Sequence, residues 1–260
     1  MDLELKGKRV LVTGASSGIG RAIALALLRE GALVGLNARN QANLQELQAS
    51  LGQTASRTLI LPGDVGVPEQ VKSIFDQLTS AWGGLDLAVI NAGSDGERAL
   101  SWESEPEAWQ QILQVNLLGA FYCARLALQQ MIPARNGVVL FVTSVHEIIP
   151  WHGYSAYAAS KAGVSMMAKT MAMEAAPHEV RVLSLAPGAI KTPINAEVWQ
   201  DPAGHGDLLS KIPMNRLGTP EEVADFALFL LSNRVSGYLT GNTVFLDGGM
   251  TLYPSFEQGG

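Results

Sequence analysis

Short apolar runs rich in β-branched residues recur along the chain, and most are followed by a stretch with helical spacing. The runs are KRVLV at Lys8–Val12, ALVGLNARN at Ala32–Asn40, Thr58–Leu61, LDLAVI at Leu85–Ile90, VVLFVT at Val138–Thr143, RVLSLA at Arg181–Ala186 and TVFLDGG from Thr243. Runs this short and this apolar read as buried strands, and near-continuous apolarity is the mark of a parallel sheet covered on both faces. Helices are expected after the first run as far as Arg29, over Pro68–Trp82, over a long stretch Pro106–Met131, around Tyr157 and Lys161, and up to Leu231 from Thr219-Pro220. Thr219 suits an N-cap and Pro220 the first helical position. Strands alternating with helices from end to end predict an α/β, doubly wound fold. No low-complexity linker or internal repeat divides the chain, so a single domain over residues 1–260 is expected, with a small substrate lobe around 190–213 whose polar turns DPAGHGD suit a functional loop.

Composition narrows the function classes. The 260 residues are 47% hydrophobic and carry a net charge of −6, enough apolar content for a sizeable core and no basic footprint for nucleic acid or an anionic membrane. No apolar run reaches the ~18 residues of a membrane span, and the start MDLELKGKRV is charged, unlike a signal sequence. The one cysteine, Cys123, allows no intrachain disulfide and sits at a buried helical position, so the expectation is a structural thiol in the cytoplasm. His146, His152, His178 and His205 have no metal-ligand spacing among themselves or with Cys123, and no metal site is expected.

Candidate chemistry collects at the strand ends. TGASSGIG, Thr13–Gly20, lies between the first strand and its helix; its glycines Gly14, Gly18 and Gly20 let backbone amides approach a pyrophosphate at a helix N-terminus. The second strand exits through Asn37, Ala38, Arg39 and Asn40 without a carboxylate, which favours NADP and leaves NAD possible. Asp64 follows the third strand as a turn or cap residue, and N-A-G at Asn91–Gly93 ends the fourth. Asn116 stands amid apolar neighbours in QVNLLGAFY, where an amide must find partners. Ser144 follows the fifth strand, and Tyr157 and Lys161 are one helical turn apart in YAASK. A close ammonium favours the phenolate, so this spacing predicts a lowered tyrosine pKa and a usable acid/base.

T-G-x-x-x-G-x-G, N-A-G, Ser144 and Y-A-A-S-K together resemble the short-chain dehydrogenase/reductase family, over the whole chain. The resemblance implies a Rossmann fold with a seven-stranded parallel sheet and helices on both faces. It implies a catalytic set Asn116, Ser144, Tyr157 and Lys161, in which Asn116 holds a water beside the lysine and Lys161 also hydrogen-bonds the nicotinamide ribose. Cofactor contacts are then carried to Gly14, Ser16, Ser17, Gly18, Ile19, Gly20, Asn37, Arg39, Asp64 and Val65, to Asn91, Ala92 and Gly93, to Tyr157 and Lys161, and to Pro187, Gly188, Ile190 and Thr192.

Within that family, SVHEIIPW at Ser144–Trp151, GAIKTPINAE at Gly188–Glu197 and DGGMTLYPSF at Asp247–Phe256 are similar to the bacterial glucose 1-dehydrogenases. That similarity implies β-D-glucose oxidation to glucono-1,5-lactone and a homotetramer, with the apolar C-terminal segment near a subunit contact. His146, Glu147 and Asn195 become candidate substrate contacts beside Ser144 and Tyr157, with Glu197 in the same lobe. HGYSA at His152–Ala156 is smaller than the run those enzymes carry there, and SDGERALSWESEP after Gly93 departs from their pattern. Both segments border the expected pocket, so reduction of a ketone, keto-sugar or 3-oxoacyl thioester stays open. A nucleotide-sensing binding protein on the same scaffold is the alternative of a different class.

Overall fold

The structure, a computed structural model, describes residues 2–192 and 202–252. Its seven strands are β1 Arg9–Thr13, β2 Leu33–Ala38, β3 Thr58–Pro62, β4 Leu87–Ile90, β5 Gly137–Val142, β6 Val180–Pro187 and β7 Thr243–Leu246. They form one sheet in the order β3-β2-β1-β4-β5-β6-β7. Every pairing is parallel. The helices are α1 Gly18–Arg29, α2 Gln41–Ser50, α3 Pro68–Trp82, α4 Pro106–Leu113, α5 Gly119–Ala134, α6 Ser155–Ala175, α7 Pro202–Leu209 and α8 Pro220–Leu231.

Side chains alternate across the strands, and both faces are apolar for that reason. Val10, Val12, Val138, Leu140, Val142, Leu183 and Leu185 point to one side, where Ile23 and Leu27 of α1 and Val223 and Leu228 of α8 cover them. Leu11, Val139, Phe141, Val180 and Val182 point to the other, under α3, α5 and α6. This is the doubly wound sheet that the sequence predicts.

Differences at the boundaries have local causes. β4 starts at Leu87 because Asp86 turns its carboxylate to Arg9, accepting from Nε at 2.9 Å and Nη2 at 2.7 Å. β2 stops at Ala38 because Asn40 caps a helix missing from the expectation, α2; its Oδ1 accepts from the backbone N–H of Ala42 at 2.9 Å and of Asn43 at 3.3 Å. The long helix is interrupted by a π turn at Gln114–Leu118. By length and composition the stretch Pro106–Ala134 is apolar enough to cross a bilayer, contrary to the expectation of no such run; here Ala120, Ala124, Ala127 and Met131 pack into the core beneath the sheet. Cys123 is in that row, and burial pushes its thiol up to about 12, which makes it inert at neutral pH. The start of α8 is as expected, with a full capping box between Thr219 and Glu222.

Candidate active site

The carboxyl ends of parallel strands lie at one edge of the sheet, and the candidate residues meet there. Gly14 and Gly18 of the glycine turn have φ of +67° and +52°, values that suit glycine. Gly20 serves packing instead: a Cβ there would lie 2.3 Å from the Gly14 carbonyl oxygen. Thr13 sews this turn to the next one. Its Oγ1 accepts from the Asn91 N–H at 2.9 Å and the Ala92 N–H at 3.0 Å, and Asn91 Nδ2 donates to the Thr13 carbonyl at 3.0 Å. Ser17 precedes α1 without its side chain capping it, and no acidic residue stands in the first turn, so the first-turn amides and the positive end of the helix are left for an anion.

The remaining cofactor candidates border the same edge. Arg39 is exposed just past β2. Asp64 Oδ1 accepts from the Gly66 N–H at 2.8 Å, closing the turn after β3, while the Val65 side chain packs where a Cβ on Gly119 would come within 3.0 Å of it. Gly188 passes so close to the turn after β7 that a Cβ would lie 2.7 Å from the Asp247 Cα. Thr192 is buried and faces Gly18, 3.6 Å from where a Cβ on that residue would sit, and Ile190 bridges to Gly218. Ser16 and Ile19 stand in the glycine turn and Pro187 ends β6.

Ser144, Tyr157, Lys161 and Asn116 come together from three chain segments. Ser144 follows β5 and caps the short turn Val145–Glu147, its Oγ accepting from the His146 N–H at 3.2 Å. The same hydroxyl lies near enough to the Tyr157 phenol to draw its pKa down. Lys161, one turn along α6, places Nζ 5.6 Å from the Tyr157 ring centre and donates to the Val142 carbonyl at 3.0 Å. Gly93 packs closely against this cluster: a Cβ would lie 3.1 Å from Asn116 Oδ1 and 3.6 Å from Lys161 Nζ.

The electrostatics differ from the expectation that Lys161 lowers the tyrosine. Burial pushes the Tyr157 phenol up to about 12; the Ser144 hydrogen bond pulls it down and the charge of Asp95 pushes it up. Burial also pulls Lys161 down to about 8, against the raising influence of Glu147. In a water-poor site desolvation of both charged forms outweighs their attraction, so the folded chain at neutral pH keeps the proton on Tyr157.

Three further residues are held by contacts of their own. Asn37 is fully buried, with Nδ2 donating to the carbonyls of Leu61 at 2.9 Å and Gly63 at 3.1 Å; it ties β2 to β3 and does not face a ribose. Asn116 sits in the π turn and spends its amide on anchoring: Oδ1 accepts from the Ser94 N–H at 2.9 Å, and Nδ2 donates to the Ser94 carbonyl at 2.7 Å and Ser160 Oγ at 3.0 Å. Both side-chain amide hydrogens are thereby used. Glu147 turns away from the pocket to accept from Ser165 Oγ at 2.8 Å. Asn195 and Glu197 lie outside the described residues, as does the C-terminal segment 253–260.

His146 does border the pocket. Its ring stacks on Trp151 at 4.4 Å and 9°, Trp151 stacks on Tyr154 at 4.0 Å and 25°, and the edges of His146 and Trp151 meet Tyr157 at 6.2 Å and 5.7 Å. Two rings this close to one indole must cover its opposite faces, so the three form a stiff aromatic wall beside the phenol. Sequence reasoning missed this wall, because HGYSA reads as small, and it missed Thr13, Ser94 and Asp95. A carboxyl one residue from a strand-exit turn is the only sign that could have singled out Asp95; burial raises its pKa.

Comparison with known proteins agrees with this geometry. A family model described as enoyl-(acyl carrier protein) reductase matches residues 14–251. The chain is 42% identical over 258 residues to 3β-hydroxysteroid dehydrogenase 1 of Eggerthella lenta, covering 98% of each chain. It is 38% identical over 254 residues to glucose 1-dehydrogenase 2 of Bacillus subtilis, covering 97% of this chain and 98% of the relative. A gluconate 5-dehydrogenase from Burkholderia cenocepacia J2315, solved in complex with NADP and tartrate, superposes with a TM-score of 0.91 at 31% identity, over 96% of this chain and 98% of that one. With the glycine turn, the parallel sheet and the Ser144–Tyr157–Lys161 cluster in place, the chain belongs to the short-chain dehydrogenase/reductase family.

Proposed function

We propose that the chain interconverts a secondary alcohol and a carbonyl on a ring-shaped small molecule, using NADP in preference to NAD. The observation that carries this reading is the gathering of Ser144, Tyr157 and Lys161, with the lysine Nζ 5.6 Å from the tyrosine ring centre, at the sheet edge that holds the glycine turn. The residues fit a nicotinamide dinucleotide. Gly14, Ser16, Ser17, Gly18, Ile19 and Gly20 would hold its pyrophosphate, Arg39 a 2′-phosphate, and Asp64 with the Val65 main chain its adenine. Asn91–Gly93 would lie along it, with Pro187, Gly188, Ile190 and Thr192 at the nicotinamide end. A bound nicotinamide supplies or takes up the hydride, and the chain's residues handle the proton. Ser144 orients the substrate oxygen. Tyr157, protonated at neutral pH, donates to a carbonyl oxygen in reduction; in oxidation it first gives its own proton to solvent, a loss that the positive charge of Lys161 eases, and the phenolate then takes the hydroxyl proton. The Asn116 side chain fixes the π turn and Ser94 beside the lysine.

Two substrate arms follow. The relatives include a glucose 1-dehydrogenase, which supports oxidation of β-D-glucose to its 1,5-lactone with Asp95 able to receive a second hydroxyl. The aromatic wall of His146, Trp151 and Tyr154 favours a larger apolar ring system, and a hydroxysteroid dehydrogenase is also a relative. Initial rates with glucose, other sugars, hydroxysteroids, cyclic ketones and a 3-oxoacyl thioester, each with NADP(H) and NAD(H), separate the arms. Tyr157-dependent turnover of glucose alone selects the first, turnover of hydroxysteroids or cyclic ketones without glucose selects the second, and silence across the panel favours a nucleotide-sensing protein. Leu118, Phe121, Met166 and Met173 are exposed on and around α5 and α6, an apolar surface that supports a homotetramer; a monomeric mass in solution overturns that part.

A further inference from the structure

The carboxylate of Glu147 is the charged group that the proton transfer just described does not use. It ends the turn that Ser144 begins, with the Glu147 N–H donating to the Ser144 carbonyl at 3.0 Å. Oε1 accepts from Ser165 Oγ at 2.8 Å, and that hydroxyl also meets Thr243 Oγ1 of β7 at 3.3 Å. Oε2 is buried and has no hydrogen-bond partner among the described residues. Such an oxygen is costly unless a nearby charge compensates it. Ser165 lies one turn beyond Lys161 on α6, so Tyr157, Lys161 and Ser165 share one helix face at successive turns. The Lys161 ammonium is buried too, and it donates to the neutral carbonyl of Val142.

We propose that Glu147 is a positioning residue with two separable parts: Oε1 pins the Ser144 turn to α6 through Ser165, and the negative charge keeps Lys161 an ammonium beside Tyr157. The inference rests on the reading of Tyr157 and Lys161 above. Burial draws Lys161 down to about 8 and Glu147 opposes that, so without the carboxylate the amine loses its proton at still lower pH. Among the described residues, the titratable and charged groups around this pair are Tyr157 on the same helix, Glu147 and His146 on the turn after β5, and Asp95 on the loop after β4. Asp95 acts on Tyr157 rather than on the lysine, and burial keeps His146 uncharged at neutral pH.

Two variants separate the parts. Glu147→Gln keeps an oxygen for Ser165 and removes the charge, whereas Ser165→Ala keeps the charge and removes the tether. In Tyr157-dependent alcohol oxidation, Glu147→Gln moves the alkaline limb of kcat/KM to lower pH by on the order of half a unit or more. Ser165→Ala leaves that limb in place and changes kcat or KM by a few-fold. Glu147→Asp, which draws the charge back, moves the limb less and in the same direction, and carries the test if the glutamine variant does not fold. An alkaline limb that coincides with wild type, with only a lower melting temperature, overturns the proposal. If wild type turns over no substrate, the functional reading has failed and Lys161 is read from stability against pH. The unfolded chain binds the extra proton, so stability rises with pH through the folded pKa of Lys161; in Glu147→Gln that rise starts at lower pH, and an unchanged onset overturns the proposal independently.

Discussion

The sheet edge has two halves built on opposite physical terms. Around β1, β2 and β4, backbone groups and short polar side chains satisfy one another: Thr13 takes two N–H groups, Asn91 returns a bond to the Thr13 carbonyl, and the Ala15 N–H donates to the Asn37 carbonyl at 2.8 Å. Around β5 and α6 the chain half-buries a phenol and buries an amine and a carboxylate oxygen, leaving their charges in tension. The first half is rigid because most of its polar groups are paired, the buried Asn37 Oδ1 being the exception among the described residues. The second is reactive because its titratable groups are held where water solvates them poorly, and such perturbed groups cluster at functional sites.

Four substitutions can break or sharpen that contrast. Tyr157→Phe removes the proton donor and should lower kcat by about 10³-fold, with NADP(H) affinity by titration nearly unchanged; retained turnover would move the chemistry elsewhere. Gly20→Ala acts in the rigid half, where its Cβ would press on the Gly14 carbonyl from 2.3 Å. Overpacking of this kind costs about 1–3 kcal/mol, seen as a lower melting temperature together with weaker nucleotide binding. A substitution tolerated without loss would show that the turn can yield.

Lys161→Met should have the opposite sign in stability. The fall of the lysine from 10.5 to about 8 corresponds to ~3 kcal/mol at most against folding at neutral pH. That cost is fully present below pH 8, fades as pH rises toward 10.5, and is absent from the methionine variant. The variant should therefore lose turnover yet unfold at the same or a higher temperature than wild type at about pH 7, with the advantage gone above about pH 10. Destabilisation at neutral pH would mean that the bond to Val142 and the compensation of the buried Glu147 carboxylate together outweigh desolvation. Arg39→Ala is the smallest case: about a tenfold rise in KM for NADP, the loss of one charged contact, with KM for NAD unchanged. Equal effects on both nucleotides would remove the assignment of Arg39 to the 2′-phosphate.

Strand identity, the doubly wound class, the glycine turn and the serine, tyrosine and lysine were legible in the sequence, because each depends on short-range spacing. Alternating apolar positions decide which residues can be buried on both faces of a strand, and four residues on a helix place Tyr157 and Lys161 on one face. Asn37, Asn116 and Glu147 could be picked out as polar residues at telling places, yet their partners are 24, 22 and 18 residues away. No local pattern gives the direction of a side chain toward a partner that distant. The same limit applies to Trp151 and Tyr154, whose stacking depends on how the loop before α6 folds back, and to the tyrosine pKa. Sequence places an ammonium one turn from a phenol; only the packed structure decides how much water remains around them, and that decides whether attraction or desolvation sets the proton's position.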